Sequence, residues 1–132
     1  MSALHHVELW VTDLDRAGAE WEWLLGEVGW SRDEGAVTPG RSWSWSHPDG
    51  TYLFMESSDD VVDEPHDRMR PGINHLAVTV ESRELLDRIR AASTEHGWHE
   101  LFADRYPHAG GHQHTALYLE DSEGLEIEVV VA

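Results

Sequence analysis

The chain has 132 residues, with 26 acidic against 9 basic side chains, a formal net charge of −17 and no cysteine. That length suits one ordinary domain with a core of its own, while the charge excludes a nucleic-acid surface, which needs a basic stripe, and equally an anionic membrane surface. Without cysteine there is no disulfide, thiolate ligand or cysteine nucleophile; with no run of eighteen apolar residues and no basic-then-apolar leader, the expectation is a soluble, cytoplasmic protein.

The first element is LHHVELWV at residues 4–11, which alternates like a half-buried strand. Asp13 then caps a helix whose apolar residues Leu14, Ala17, Trp21, Leu24, Leu25 and Val28 recur at helical spacing. Gly29-Trp30 ends it, and two short strands, Trp43 to Ser46 and Tyr52 to Glu56, flank the turn His47-Pro48-Asp49-Gly50. Residues 57–71, rich in Asp, Ser and Pro, read as a linker, with the acidic run 59–64 solvated. The plan then starts again. INHLAVTV at 73–80 repeats the first strand with its histidine in the same place, His75 lying 69 residues after His6. Ser82 caps a second helix carrying Leu85, Leu86, Ile89 and Ala92; Gly97-Trp98 follows; and strands 114–119 and 125–131 flank the turn Asp121-Ser122-Glu123-Gly124. The chain is therefore read as one α+β domain of two tandem βαβββ modules, about 1–57 and 72–132. They are expected to form a curved, partly open mixed sheet with helices on its convex side. The second strand of each module is the least defined by pattern.

Side chains alternate faces along a strand, and the helix must cover the apolar face. Val7, Leu9 and Val11 take that side in the first strand, so His6, Glu8 and Trp10 point the other way. Leu76, Val78 and Val80 leave His75 opposite; Leu53 and Met55 leave Tyr52, Phe54 and Glu56; Leu117 and Leu119 leave His114 and Tyr118; Ile127 and Val129 leave Glu126 and Glu128. One histidine on such a face is more simply a hydrogen-bonded polar residue in a cleft. Two at repeat-equivalent positions, with Glu128 on the same face, favour a metal. His5 falls on the helix side or the strand edge and reads as a surface neighbour. The histidines of DRYPHAGGHQH at 104–114 could form a second metal site, but the Gly-Gly pair points to a mobile loop, which reads equally as a substrate lid or as an incidental polar loop; most tryptophans serve packing, Trp10 excepted.

HHVELWVTDLDRA at 5–17, GINHLAVTV at 72–80 and LEDSEGLEIEVV at 119–130 resemble the vicinal oxygen chelate superfamily, which includes glyoxalase I, fosfomycin-resistance enzymes, bleomycin-binding proteins and extradiol dioxygenases. The resemblance spans essentially the whole chain. It implies a divalent metal held by the histidine opening each module's first strand and the glutamate of its last, here His6, His75 and Glu128. Glu56 is the candidate fourth ligand, although it lies six residues after Gly50, whereas Glu128 lies four after Gly124. The same likeness implies modules that pair within one chain or across a dimer, and a homodimer is expected.

Two imidazoles with one or two carboxylates make a borderline donor set suited to Zn, Ni, Fe, Co or Mn rather than to calcium. An ion with open positions can take two neighbouring substrate oxygens and stabilise an enediolate or oxyanion as a Lewis acid, with Glu128, or secondly Glu56, as the catalytic base. Three functions follow: a metal-dependent lyase, isomerase or transferase acting on a small molecule with vicinal oxygens; a protein that sequesters an aromatic antibiotic in a cleft of Trp10, Tyr52, Phe54 and Tyr118; or a small ring-cleaving dioxygenase using His114 and Tyr118. The first accounts best for the His-His-Glu set.

Overall fold

A computed structural model describes residues 2–35, 38 and 40–132. The elements run β1 (His6–Trp10), α1 (Leu14–Glu27), β2 (Ser31–Arg32), β3 (Ser42–Ser46), β4 (Tyr52–Glu56), β5 (Leu76–Val80), α2 (Arg83–Ser93), β6 (His99–Leu101), β7 (Ala116–Glu120) and β8 (Glu126–Val131). This is βαβββ written twice. Contacts divide the chain into two units, Met1–Glu64 and Pro65–Ala132, with the boundary inside the expected linker. The mixed sheet is realised as two open four-stranded sheets, ordered β1-β4-β3-β2 and β5-β8-β7-β6. In each, the module's first strand runs parallel to its last and the remaining pairings are antiparallel.

Both helices start where a side chain can satisfy an orphan amide. Asp13 accepts from the Arg16 amide at 3.1 Å and Ser82 from the Leu85 amide at 3.1 Å. The stripe Leu14, Ala17, Trp21, Leu24 and Leu25 is buried against Trp45, Leu53 and Met55 of the first module's core. Gly18 lets the helix approach the sheet: a Cβ there would stand 2.5 Å from the Trp43 ring. In the second unit Leu86 and Ile89 join Leu117, Leu119, Ile127 and Val129 in the core. The expected alternation holds on β1, where Val7 and Leu9 are half-buried and His6, Glu8 and Trp10 exposed. The second strands are the weakest pattern for a physical reason: β2 and β6 are edge strands of two and three residues, too short for a period to show.

The glycine turns differ in what they meet. Gly50 and Gly124 both adopt left-handed backbone, φ 98° and 87°. At Gly124, but not Gly50, an added Cβ would also lie 2.4 Å from the His66 carbonyl oxygen. The His66 amide in turn donates to the Glu123 carbonyl at 2.9 Å. Residues just before the second module thus dock on its β7–β8 turn. Among the described residues no helix is long and apolar enough to cross a membrane.

Candidate metal and substrate site

The second unit gathers its polar side chains around Glu128, in the middle of β8, a residue only 5% exposed. The β5–β8 register sets Ala77, which has almost no side chain, opposite Glu128. His75, just before β5, reaches across that gap, and its Nε2 lies 3.0 Å from Glu128 Oε1. From the other side His114, leading into β7, brings its Nε2 against Oε2. Tyr118, paired with Glu128 across β7–β8, hydrogen-bonds the same carboxylate. Burial and the neighbouring Glu128 and Glu126 charges push the Tyr118 hydroxyl up to about 12, so it stays a protonated donor at neutral pH.

The tautomer of His75 follows from its neighbours. Asn74 donates from Nδ2 to the Arg68 carbonyl at 2.9 Å, which leaves its Oδ1 as the acceptor 2.7 Å from His75 Nδ1. The hydrogen-bond network therefore assigns the proton to Nδ1. A neutral ring then turns the Nε2 lone pair toward an anionic oxygen, and two lone pairs at 3.0 Å need a proton or a metal ion to share. A carboxamide fixing Nδ1–H while Nε2 faces a carboxylate is the outer support typical of a metal-binding histidine. The separation is also that of two donors about 2.1 Å from one ion at the near-right angles of an octahedral rather than a tetrahedral site. On this observation the residues fit a divalent ion. Among the described residues, no group of three or more His, Asp or Glu side chains already stands at coordination distance.

Below this cluster Glu126 is buried as a charge, its side chain 2% exposed. Arg68 Nη1 lies 3.2 Å from its Oε1, an ion pair without hydrogen-bond alignment. The same guanidinium sits 3.7 Å from Glu120 and 5.7 Å from the centre of the Phe102 ring. Glu126 Oε2 is 3.7 Å from His75 Nδ1. Asn74, Arg68 and Glu126 escaped the sequence reading. Parity did put Glu126 on the right face, but Arg68 lay in a stretch with no periodicity, and Asn74 betrays itself only by its place beside His75.

The first unit has a different arrangement on its corresponding face. His6 stacks on Tyr52, ring centres 4.7 Å apart and planes within 9°, and His5 Nδ1 lies 2.8 Å from His6 Nδ1. Trp10 is 44% exposed and donates its indole N–H to Glu8 at 2.6 Å. His6 pairs with Tyr52, whereas Glu56 pairs with Trp10, four rungs along the parallel ladder. At about 3.3 Å per rung this is roughly 13 Å of strand, so the first module does not bring Glu56 to His6. In the second module Glu128 is two rungs from His75. The residue two rungs from His6 on β4 is Phe54, opposite Glu8. The pair Ala77/Glu128 of the second module has become Glu8/Phe54 in the first.

The family model described as Glyoxalase/Bleomycin resistance protein/Dioxygenase superfamily matches residues 5–118. The chain belongs to this superfamily. Its relatives include the Bacillus subtilis uncharacterized protein YqjT, 35% identical over 128 residues, covering 96% of this chain and 97% of that one. A crystal structure from Bacillus halodurans, described as a "putative glyoxalase", is 37% identical with a TM-score of 0.88, covering 98% of this chain and 96% of that chain. A glyoxalase/bleomycin resistance protein from Albidiferax ferrireducens T118 shares the fold at 21% identity, with a TM-score of 0.76 and 99% of each chain covered.

Proposed function

We propose that the protein is a divalent-metal-dependent enzyme of the glyoxalase kind, a lyase or isomerase acting on a small molecule with two neighbouring oxygens. The observation that carries this reading is Glu128: a buried carboxylate faced by His75, whose Nδ1–H tautomer is fixed by Asn74. When bound there, a Zn-, Ni-, Fe-, Co- or Mn-type ion supplies Lewis-acid stabilisation of negative charge developing on a substrate oxygen. The chain does the rest. His75 and Glu128 hold the site, Tyr118 donates to Glu128 and keeps its orientation, and Glu128 is the group placed to take a proton from a carbon next to the substrate carbonyl.

The test is elemental analysis of untagged protein purified without chelator, followed by turnover assays on thiol hemithioacetals of 2-oxoaldehydes and on catechols. About one divalent ion per chain and metal-dependent isomerisation support the reading. Metal-free protein with no thermal shift on adding Zn, Ni, Co or Mn refutes it. A second reading, sequestration of an aromatic ligand, draws on the exposed Trp10 and on Tyr52 stacked over His6; quenching of Trp10 fluorescence by an aromatic antibiotic, without turnover and without metal, would favour it.

A further inference from the structure

His114, a candidate of the ring-cleaving reading, brings its imidazole to the same carboxylate as His75. Glu128 Oε1 faces His75 Nε2 and Oε2 faces His114 Nε2, so the two imidazoles flank a single carboxylate within one module. The loop before β7 is built to deliver that ring. The His108 amide donates to the Arg105 carbonyl at 2.8 Å, Gly111 to His108 at 3.0 Å, His114 to Gly111 at 3.1 Å, and Ala116 to Pro107 at 2.9 Å. This succession of turns folds Gly110 directly onto the imidazole. A Cβ at Gly110 would lie 2.5 Å from His114 Cδ2 and 2.6 Å from the Tyr118 hydroxyl. Backbone packed this tightly on one face restricts how the ring can turn. The side chain is nonetheless 40% exposed, so burial does not lock the ring in its hydrogen-bonding contact with Oε2.

We propose that His114 is a metal donor beside His75 and Glu128, giving the second module a two-histidine, one-carboxylate set of its own. The proposal rests on the metal-dependent reading above. Two imidazoles and a carboxylate with positions left open are a donor set that binds Zn, Fe, Co or Ni in preference to Mg or Ca. Coordination uses the nitrogen lone pair, whereas a supporting hydrogen bond uses an N–H, and this difference separates the donor role from mere positioning of Glu128.

The experiment compares wild type, His114→Ala and His114→Gln for Zn²⁺ and Co²⁺ affinity, by competition with a chromophoric chelator, and for the visible spectrum of the Co²⁺ form. Glutamine keeps an amide N–H for Glu128 and offers only a carbonyl oxygen in place of the imidazole nitrogen, a poorer donor to Zn²⁺ and Co²⁺ and one with a different ligand field. If His114 is a donor, both variants lose affinity by at least about tenfold, since even outer-shell losses cost about 10–100-fold, and both change the Co²⁺ ligand-field bands. Wild-type affinity and spectrum in His114→Gln overturn the proposal while leaving the metal-dependent reading standing. A wild-type protein that binds neither ion sinks both. Circular dichroism of each variant confirms that the comparison is made on folded protein.

Discussion

Replacing Gly110 with alanine should separate stability from site geometry. The backbone there is outside the left-handed region, so alanine is conformationally allowed and removes freedom from the unfolded chain, a gain of about 0.4–1 kcal/mol. Against this stands the new methyl group, 2.5 Å from His114 Cδ2 and 2.6 Å from the Tyr118 hydroxyl. Restoring ordinary contact at 3.4 Å requires each group to recede by about 0.8–0.9 Å, toward the spacing at which contacts become favourable. Both side chains are partly exposed and can give way, each at a cost of about 0.5 kcal/mol or more for leaving its rotamer well. The two terms nearly cancel, and for a chain of this size the melting temperature should move by no more than about 5 °C. The site cannot absorb the same change. The same displacement re-aims His114 Nε2 relative to Glu128, and misplacement of about 1 Å costs function out of proportion to stability. Gly110→Ala should therefore melt like wild type in the presence of chelator yet bind Zn²⁺ about 10–100-fold more weakly. Wild-type metal affinity in a variant with an unchanged melting temperature would refute the claim that Gly110 places His114. A crystal structure of the variant should show the His114 ring displaced relative to Glu128.

Once a substrate is found, Glu128→Gln should lower kcat by about 10²–10⁴-fold with a much smaller change in KM, whereas Glu56→Gln should leave metal affinity unchanged because its register keeps it from His6. Arg68→Met should destabilise the fold by about 3 kcal/mol in urea melts, because it strands the buried Glu126 charge; the double variant with Glu126→Gln should recover much of that loss. Burial, and then its hydrogen bond to Asp87, raises the Tyr106 hydroxyl to about 12. The folded state thus holds this proton more tightly than the unfolded chain, and Tyr106 supports stability fully below pH 10 and loses that support between pH 10 and 12; Tyr106→Phe should flatten that part of the alkaline melting curve. The open edges of both sheets favour association, so light scattering should give a homodimer of about twice 15.0 kDa, and a concentration-independent monomer mass would contradict it.

Much of this was legible in the residues because strand parity is a property of the chain alone. Alternation put His6, Tyr52, Phe54, Glu56, His75, His114, Tyr118, Glu126 and Glu128 on the faces opposite the helices, and Asp13 and Ser82 announced the helix starts. Parity fixes a face, not a rung. Which residues stand level depends on pairing register, set by the turns and by long-range packing, and so Glu56 shared a face with His6 without sharing a position. The clue was present in the count from glycine: four residues lead from Gly124 to Glu128, and four from Gly50 lead to Phe54. The links made by Arg68 and Asn74 were not legible, since neither lies in a periodic segment and each acts through a contact that only the folded chain defines. The same holds for Gly110, whose role depends on the ring it touches.

The docking of His66 and Arg68 says where the second module begins. Read from the repeat, it starts near Gly72; read from its contacts, it starts at Pro65, seven residues earlier. Anyone cutting the chain to isolate this half at Gly72 would leave Glu126 without its guanidinium and the Gly124 turn without the strap laid across it. A cut after Glu64 keeps both, and with them the charge balance beneath His75. The folded second half is then longer at its front than its matching letters, and the segment that looks like a tether is in part the floor of the site.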